Sequence, residues 1–179
     1  MSNARNLANL LGTNTTIQTA KLADNAITSA KLPAGSIIQV KNFSWTAQSN
    51  TNSTSFTSMG QIGAMTTTRA NSKILITTNI PLQVYGSEDT RYQIVLRHSI
   101  DSYAANLSSS VAVNYSAGNG DWVMPHLGWN ALHDHSQSVG TTINYRTYIK
   151  KNHGSQNAYY ADFWGDGGAC ETTMMEIVD

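Results

Sequence analysis

The chain has 179 residues and a formal net charge of zero, and only 12% of its residues are charged. Ordinary soluble domains carry about 25% charged residues. The sequence therefore lacks the basic field that attracts nucleic acid or anionic lipid, and we expect no nucleic-acid partner. It also has no apolar run approaching the roughly 18 residues that span a bilayer, so we expect no membrane insertion.

The first residues, MSNARNLANLLG, contain no apolar secretion signal, which predicts synthesis and folding in a cytoplasm. The single cysteine, Cys170, cannot close an intrachain disulfide, and its place in an alternating segment predicts a small apolar residue of the last strand. The length suits one folded domain with an extension. Metal-type cysteine spacing and phosphate-binding glycine motifs are absent from the sequence, so we expect no cofactor.

Residues 3–12 predict a short helix, with an asparagine positioned to cap its start and a glycine just beyond its end. Leu7, Leu10 and Leu11 form an apolar stripe on this helix. Isolated helices shorter than about 12–15 residues are marginal in water, so the stripe would pack against its own copies or a larger partner. A frayed N-terminus is the alternative.

The pattern Ile-x-x-Ala-Lys-Leu occurs at residues 17–22 and again at residues 27–32. Each copy buries too little apolar area to offset an ordering cost of about 1–2 kcal/mol per backbone residue. Three chains side by side would join these residues in one core, which predicts an extended homotrimeric stalk. The residues that would meet in that core are Ile17, Leu22, Ile27 and Leu32. Chance similarity between two linker segments is the alternative.

After Gly35 the pattern changes to period-two alternation, so we assign residues 1–35 to an anchor and stalk and residues 36–179 to a β head. Many short strands separated by turn clusters predict an all-β, antiparallel β-sandwich or jelly roll. The candidate strands are 36–45, 54–59, 61–67, 73–84, 91–100, 110–115, 122–129, 139–150, 157–163 and 170–178.

Several of these segments resemble the C-terminal β domain of bacteriophage tail-fibre proteins, which in many marine phages follows repeats like ADNAITSAKL. The segments are 35-GSIIQV-40, 72-SKILITTN-79, 92-YQIVLRHS-99 and 172-TTMMEIV-178. The resemblance spans residue 13 to the C-terminus and implies a homotrimeric virion protein with a β-sandwich head used in host recognition. Where members of that family often show an Asp-Ser-Pro-like turn, this chain has 132-LHDHSQS-138, so local geometry there is not transferred.

His133 and His135 flank Asp134, and residues two apart lie on the same face of a strand. In a trimer these histidines would give six imidazoles around an axis, as in some phage spike tips that hold iron, and imidazole also suits nickel or zinc. Two histidines in a polar segment are more often solvated or hydrogen-bonded surface groups. We therefore favour no metal site and keep the two histidines as candidates.

Two stretches, 118–124 and 157–168, place aromatic residues beside asparagine, aspartate and glycine. Aromatic rings stack on sugars while carboxylates and amides bind hydroxyl groups, so these stretches predict a surface that binds the host receptor. The candidate residues are Asp121, Trp122, Tyr160, Trp164 and Asp166. Burial of either tryptophan in the sandwich is the alternative for each.

Catalysis would need a pair of carboxylates roughly 5–9.5 Å apart if the chain cut glycans. Asp162, Asp166 and Glu171 lie near Tyr159, Tyr160, Phe163 and Trp164, a combination that could hold a sugar ring. A strand with a glycine-rich turn and solvated acids explains the same residues, and the sequence contains no hydrolase or zinc-protease motif. We therefore predict that the chain is not an enzyme.

The sequence thus predicts a trimeric phage tail fibre that mediates host-cell attachment, made in a host cytoplasm and carried on the virion tail. Its expected partners are its own copies, other virion proteins through residues 1–35, and a host glycan or outer-membrane protein. A capsid decoration or head-fibre protein is the main alternative. A glycan-cleaving spike and a free lectin-like module are two further alternatives.

Overall fold

The computed structural model describes residues 32–46, 49–86, 89–108, 111–116, 121–123, 126–154, 158–160 and 169–179. The chain divides into two compact units, 1–32 and 33–179. The predicted N-terminal helix and the repeat, with Leu7, Leu10, Leu11, Ile17, Leu22 and Ile27, lie outside the described residues. Leu32 is described and is half-buried.

Eleven strands and one short 3₁₀ helix make up the described part of the second unit. The strands are β1 (Ile37–Trp45), β2 (Ser49–Thr51), β3 (Thr57–Thr66), β4 (Lys73–Gly86), β5 (Asp89–His98), β6 (Val111–Ser116), β7 (Asp121–Val123), β8 (His126–Asp134), β9 (Thr142–His153), β10 (Ala158–Tyr160) and β11 (Cys170–Ile177). The 3₁₀ helix, Ser99–Asp101, follows β5.

These strands form two antiparallel sheets. In the large sheet β1, β11, β4 and β8 are consecutive neighbours, and the C-terminal part of β4 pairs with β10 and β7, with β2 beyond β10. The small sheet has the order β3-β9-β5-β6. The first and last strands are neighbours, and the eight long strands divide evenly between the sheets, as in a jelly roll. The predicted antiparallel β-sandwich is therefore confirmed.

The period-two patterns place the core between the two sheets. In β11 the residues with even numbers are buried, and in β9 the buried residues are the odd ones. One cluster of buried residues includes Leu82, Tyr92 and Ile149, and a second includes Ile76, Leu96 and Met174. Cys170 is 2% exposed within the first cluster, as predicted, and burial raises the pKa of its thiol to about 12. Its neighbours in the sheet thus keep the thiol neutral and packed.

Several strands differ from the predicted ones. The predicted strand 122–129 covers parts of two strands, β7 and β8, and β8 continues to Asp134. Residues 54–59 and 61–67 were predicted as separate strands, but one strand, β3, runs through Gly60, whose φ is +126°. The pairing of β3 with β9 shifts register on both sides of this glycine. An added Cβ at Gly60 would lie 2.8 Å from the Trp45 ring, so only glycine fits this bulged position.

Residues 35–36 already belong to the sandwich. The Gly35 amide donates a hydrogen bond to the Val178 carbonyl at 2.8 Å, and the Val178 amide donates to the Ser36 carbonyl at 2.9 Å. The chain therefore enters the sandwich beside the end of the last strand.

Candidate functional site

The two candidate metal ligands lie inside the sandwich. His133 is 6% exposed and His135 is 2% exposed, so the interpretation as solvated surface groups is wrong. The reason is the phase of β8, in which Ala131 and His133 face the core while Leu132 and Asp134 face solvent. Side chains buried in this way cannot meet their copies on a threefold axis.

Protein groups already occupy nitrogens of both imidazoles. His133 Nδ1 lies 2.8 Å from the Tyr145 hydroxyl, and the ring stacks on His98 with 4.4 Å between centroids. His135 Nε2 lies 3.2 Å from Ser72 Oγ, and its Nδ1 accepts a hydrogen bond from the Gln137 amide at 3.3 Å. Among the described residues, no group of three or more His, Cys, Asp or Glu side chains could hold a metal ion. The axial metal site therefore does not fit this structure.

The hydrogen-bond network continues from His135 through Ser72 to Glu176, a fully buried carboxylate on β11. Glu176 accepts from the Ser72 hydroxyl at 2.6 Å, from the Thr68 amide at 2.9 Å and hydroxyl at 2.7 Å, and from the Arg69 amide at 3.1 Å. The Gln39 side-chain amide also donates, at 3.0 Å. This carboxylate therefore fixes the turn between β3 and β4 against the last strand.

Burial sets the protonation of the network. Burial, together with the nearby imidazoles of His98 and His135, lowers the pKa of His133 to about 4. Burial also raises the pKa of Tyr145. For Glu176, burial acts to raise the pKa, but the hydrogen bonds from Ser72, Thr68 and Gln39 outweigh it and lower the pKa. The network therefore holds neutral histidines beside an ionised glutamate whose oxygens accept hydrogen bonds from the protein. Such a network stabilises the fold.

The outer face of the large sheet has a different character. The register of β1, β11, β4 and β8 aligns their outward residues in rows across four strands. One row is apolar and consists of Val40, Met175, Leu75 and Leu132. The next two rows are polar and consist of Asn42, Thr173, Thr77 and Asn130, followed by Ser44, Glu171, Asn79 and Gly128. The face is thus divided into an apolar and a polar part.

A hollow of about 380 Å³ lies on the polar part. We call it the polar hollow, and its lining includes Thr77, Asn79, Gly128, Asn130, Glu171 and Thr173. Gly128 has no side chain and so adds no atoms to this space. An added Cβ there would come no closer than 3.9 Å to any heavy atom. At the rim Ser44 donates a hydrogen bond to Glu171 Oε1 at 2.9 Å, and Thr173 donates to Asn42 Oδ1 at 2.9 Å.

The structure brings together two of the predicted receptor-binding segments. Strand β7 contains Asp121 and Trp122, and β10 contains Tyr160. These strands pair with opposite sides of β4, and Val84 is a register partner in both pairings. They are therefore two strand spacings apart, about 9–10 Å. Trp164, Asp166 and the further candidate carboxylate Asp162 lie outside the described residues.

The sequence does not indicate the polar hollow, although Glu171 belongs to the carboxylates weighed for glycan cleavage. Its residues come from three strands that are far apart in the chain, and only the pairing of β4 with both β8 and β11 joins them. The available signal was the outward phase of 72-SKILITTN-79, where Thr77 and Asn79 alternate with buried residues. Alternation alone does not say which strands lie beside β4.

No protein-family model matches the sequence, and no curated protein matches it either. Two structures of infectious bursal disease virus contain similar chains. The Gx strain structure has a TM-score of 0.37 at 12% identity, covering 80% of this chain and 39% of that chain. The Gt strain structure has a TM-score of 0.36 at 10% identity, covering 79% and 38% respectively. TM-scores below 0.5 at such identities assign neither fold nor function.

Among the described residues, the structure has no helix that is long and apolar enough to cross a membrane.

Proposed function

We propose that the chain is a structural virion protein, a homotrimeric bacteriophage tail fibre whose β-sandwich head attaches the particle to a host cell. The observation that carries this proposal is the convergence of β7 and β10 on β4. It brings the segments of Asp121, Trp122 and Tyr160 to one end of the large sheet, although they are far apart in the sequence. Trp122 is the register partner of Tyr85 and Tyr160 that of Leu82, three positions apart on β4, so the two segments share one end of the sheet but not one face. Segments held at the end of a rigid scaffold are typical places for recognition residues.

The proposed partners follow from the same division of the chain. Residues 1–35 anchor the fibre to other virion proteins and to its own copies, and the head contacts a host glycan or outer-membrane protein. The head is not an enzyme in this proposal. The resemblance of 72-SKILITTN-79 and 172-TTMMEIV-178 to tail-fibre proteins supports it, and these segments belong to the paired strands β4 and β11.

Host attachment is tested by competition. Purified full-length chain, added to host cells before the virus, should slow virus adsorption if the head binds the receptor. The variants Trp122→Ala and Tyr160→Ala should lose this competition while their thermal unfolding stays close to that of the wild type. Competition that persists in both variants would move the receptor surface away from this end of the sheet.

The trimer is tested by light scattering on the purified chain. Three chains of 19.4 kDa have a mass of 3 × 19.4, or 58.2 kDa, and we expect that mass at micromolar concentration. A stable monomer would contradict the stalk proposal. Because association is concentration-dependent, the mass should be followed over a dilution series.

A capsid decoration protein is the second candidate, and the apolar row favours it. Val40 is 53% exposed and Leu132 is 54% exposed, and such a row suits packing against a shell.

Deletion of residues 1–32 distinguishes the two candidates, because this deletion keeps the contacts of Gly35 and Ser36 with Val178. Truncated chains that still assemble on particles would favour decoration through the head. Truncated chains that fold but are absent from particles support the fibre.

A further inference from the structure

The polar hollow combines the groups that recognise sugar hydroxyls. Asn79 and Asn130 carry amides that both donate and accept hydrogen bonds, Thr77 and Thr173 carry hydroxyls, and Glu171 carries a carboxylate that accepts. All come from paired strands of one sheet, so their spacing is fixed by the backbone. A rigid set of mixed donors and acceptors suits a ligand that presents several hydroxyl groups.

Charge narrows the class of ligand further. Among the described residues that line the hollow, Glu171 is the only charged one, and none carries a cationic side chain. A carboxylate in this position repels anionic ligands such as uronic acids, phosphates or nucleic acid. The hollow therefore favours an uncharged ligand.

Size sets the third limit. Small-molecule sites usually measure about 300–1,000 Å³, and the hollow, at about 380 Å³, lies at the lower end of that range. Gly128 forms part of its lining and has no side chain to fill it. The space suits one sugar ring, with its neighbours in the glycan outside the hollow.

We propose that the polar hollow binds a single ring of an uncharged saccharide. This inference adds a ligand class to the proposed function. It rests on that function only in assuming that a host glycan supplies the ring. Asn79 and Asn130 orient the ring hydroxyls, and Glu171 accepts a hydrogen bond from a ring hydroxyl while Ser44 holds the carboxylate by donating to Oε1. The ring lies on the surface of the sheet over Gly128.

Gly128 offers a direct test. In Gly128→Val the larger side chain projects into the hollow and takes up part of it, whereas Gly128→Ala adds a Cβ that has no heavy atom closer than 3.9 Å. Binding is measured by saturation-transfer NMR on the full-length chain. The probes are the methyl glycosides of glucose, galactose, mannose and N-acetylglucosamine, with methyl glucuronide as the charged comparison.

We expect at least one neutral glycoside to bind in the millimolar range and methyl glucuronide to bind more weakly. Gly128→Val should weaken binding about tenfold or more, and Glu171→Gln should reduce the discrimination against glucuronide. Leu132→Gln is the matched control, because it changes an exposed residue of the same strand and face outside the hollow. It should leave binding unchanged.

The inference is overturned if no neutral glycoside binds, if Gly128→Val binds as well as the wild type, or if a peptide or nucleotide binds in the hollow instead. Cell adsorption separates this result from the proposed function. If glycosides bind in the hollow but the chain does not compete for adsorption, host attachment is wrong and the hollow stands. If the chain competes for adsorption and Gly128→Val competes equally, the hollow is not the receptor site.

Discussion

Two glutamates on the same strand, five residues apart, have opposite environments. Glu176 faces the core, has no exposed surface and accepts hydrogen bonds from five donors on four residues. Glu171 faces solvent on the polar hollow, and among the described side chains Ser44 donates to it. The comparison teaches that polarity alone does not mark a site. A polar group that the fold satisfies stabilises the structure, whereas one on an open face can still bind a ligand.

The largest expected difference is in stability. Glu176→Ala removes the acceptor for the Thr68 and Arg69 amides and the Ser72 hydroxyl. We expect the free energy of unfolding to fall by roughly 3–5 kcal/mol, since hydrogen bonds to charged groups are the strong ones. Glu171→Ala should change it by less than about 0.5 kcal/mol, as is usual for surface positions. Urea denaturation measures both, and similar losses for the two variants would contradict the comparison.

Two strand glycines give a second, smaller contrast. An added Cβ at Gly63 would collide with the Met174 methyl and lie 2.7 Å from Phe43 Cδ2, whereas at Gly128 its nearest heavy atom is the Thr78 carbonyl oxygen at 3.9 Å, an ordinary contact. Overpacking of this kind costs about 1–3 kcal/mol, so Gly63→Ala should be destabilised by that amount. Gly128→Ala should unfold at nearly the wild-type temperature. Equal melting temperatures for the two variants would mean that the region around Gly63 relaxes freely.

The third expected effect is a loss of folding stability at low pH, caused by the buried histidine network. The folded pKa of His133 is about 4 and its ordinary value is 6.5, so between these values the unfolded chain binds a proton that the folded chain excludes. Stability is therefore complete above pH 6.5 and falls as the pH drops towards 4. One such proton contributes a slope of about 1.4 kcal/mol per pH unit. The lowered pKa values of His135 and Glu176 act in the same direction.

The variant that isolates this effect is His133→Asn, which keeps a hydrogen-bonding group near Tyr145 but does not titrate. Urea unfolding between pH 4 and pH 7 should show a shallower loss of stability than in the wild type. An unchanged slope in His133→Asn would mean that other groups set the acid sensitivity.

Alternation in the sequence predicted the strands and the sandwich, because β4, β9 and β11 bury every second residue. It gave no strand at residues 132–134, because the predicted strand 122–129 ends before them, whereas β8 runs from His126 to Asp134. Hydrophobicity alone would place Leu132 inside and the histidines outside, and the structure has the opposite phase. A shift of one residue exchanges the two faces of a strand. The phase is set by the partners, since His133 meets Tyr145 inside while Leu132 joins the apolar row outside.

Local sequence patterns also do not show which strands are neighbours at the candidate site. The composition of the stretches around Asp121, Trp122 and Tyr160 indicated recognition, but not that β4 lies between them. The polar hollow depends on pairing between strands about 50 and 90 residues apart, which local patterns do not encode. Gly128 gave no signal, because a glycine matters there only through the residues on neighbouring strands.

A reconstruction of the whole virion tests the central claim most directly. If the chain is a tail fibre, density for three copies should lie on the tail, with residues 1–35 at the attachment point and the outer face of the large sheet free to contact the host. Density for the β-sandwich on the capsid shell, with Val40 and Leu132 against the shell, would contradict the fibre and establish the decoration protein instead.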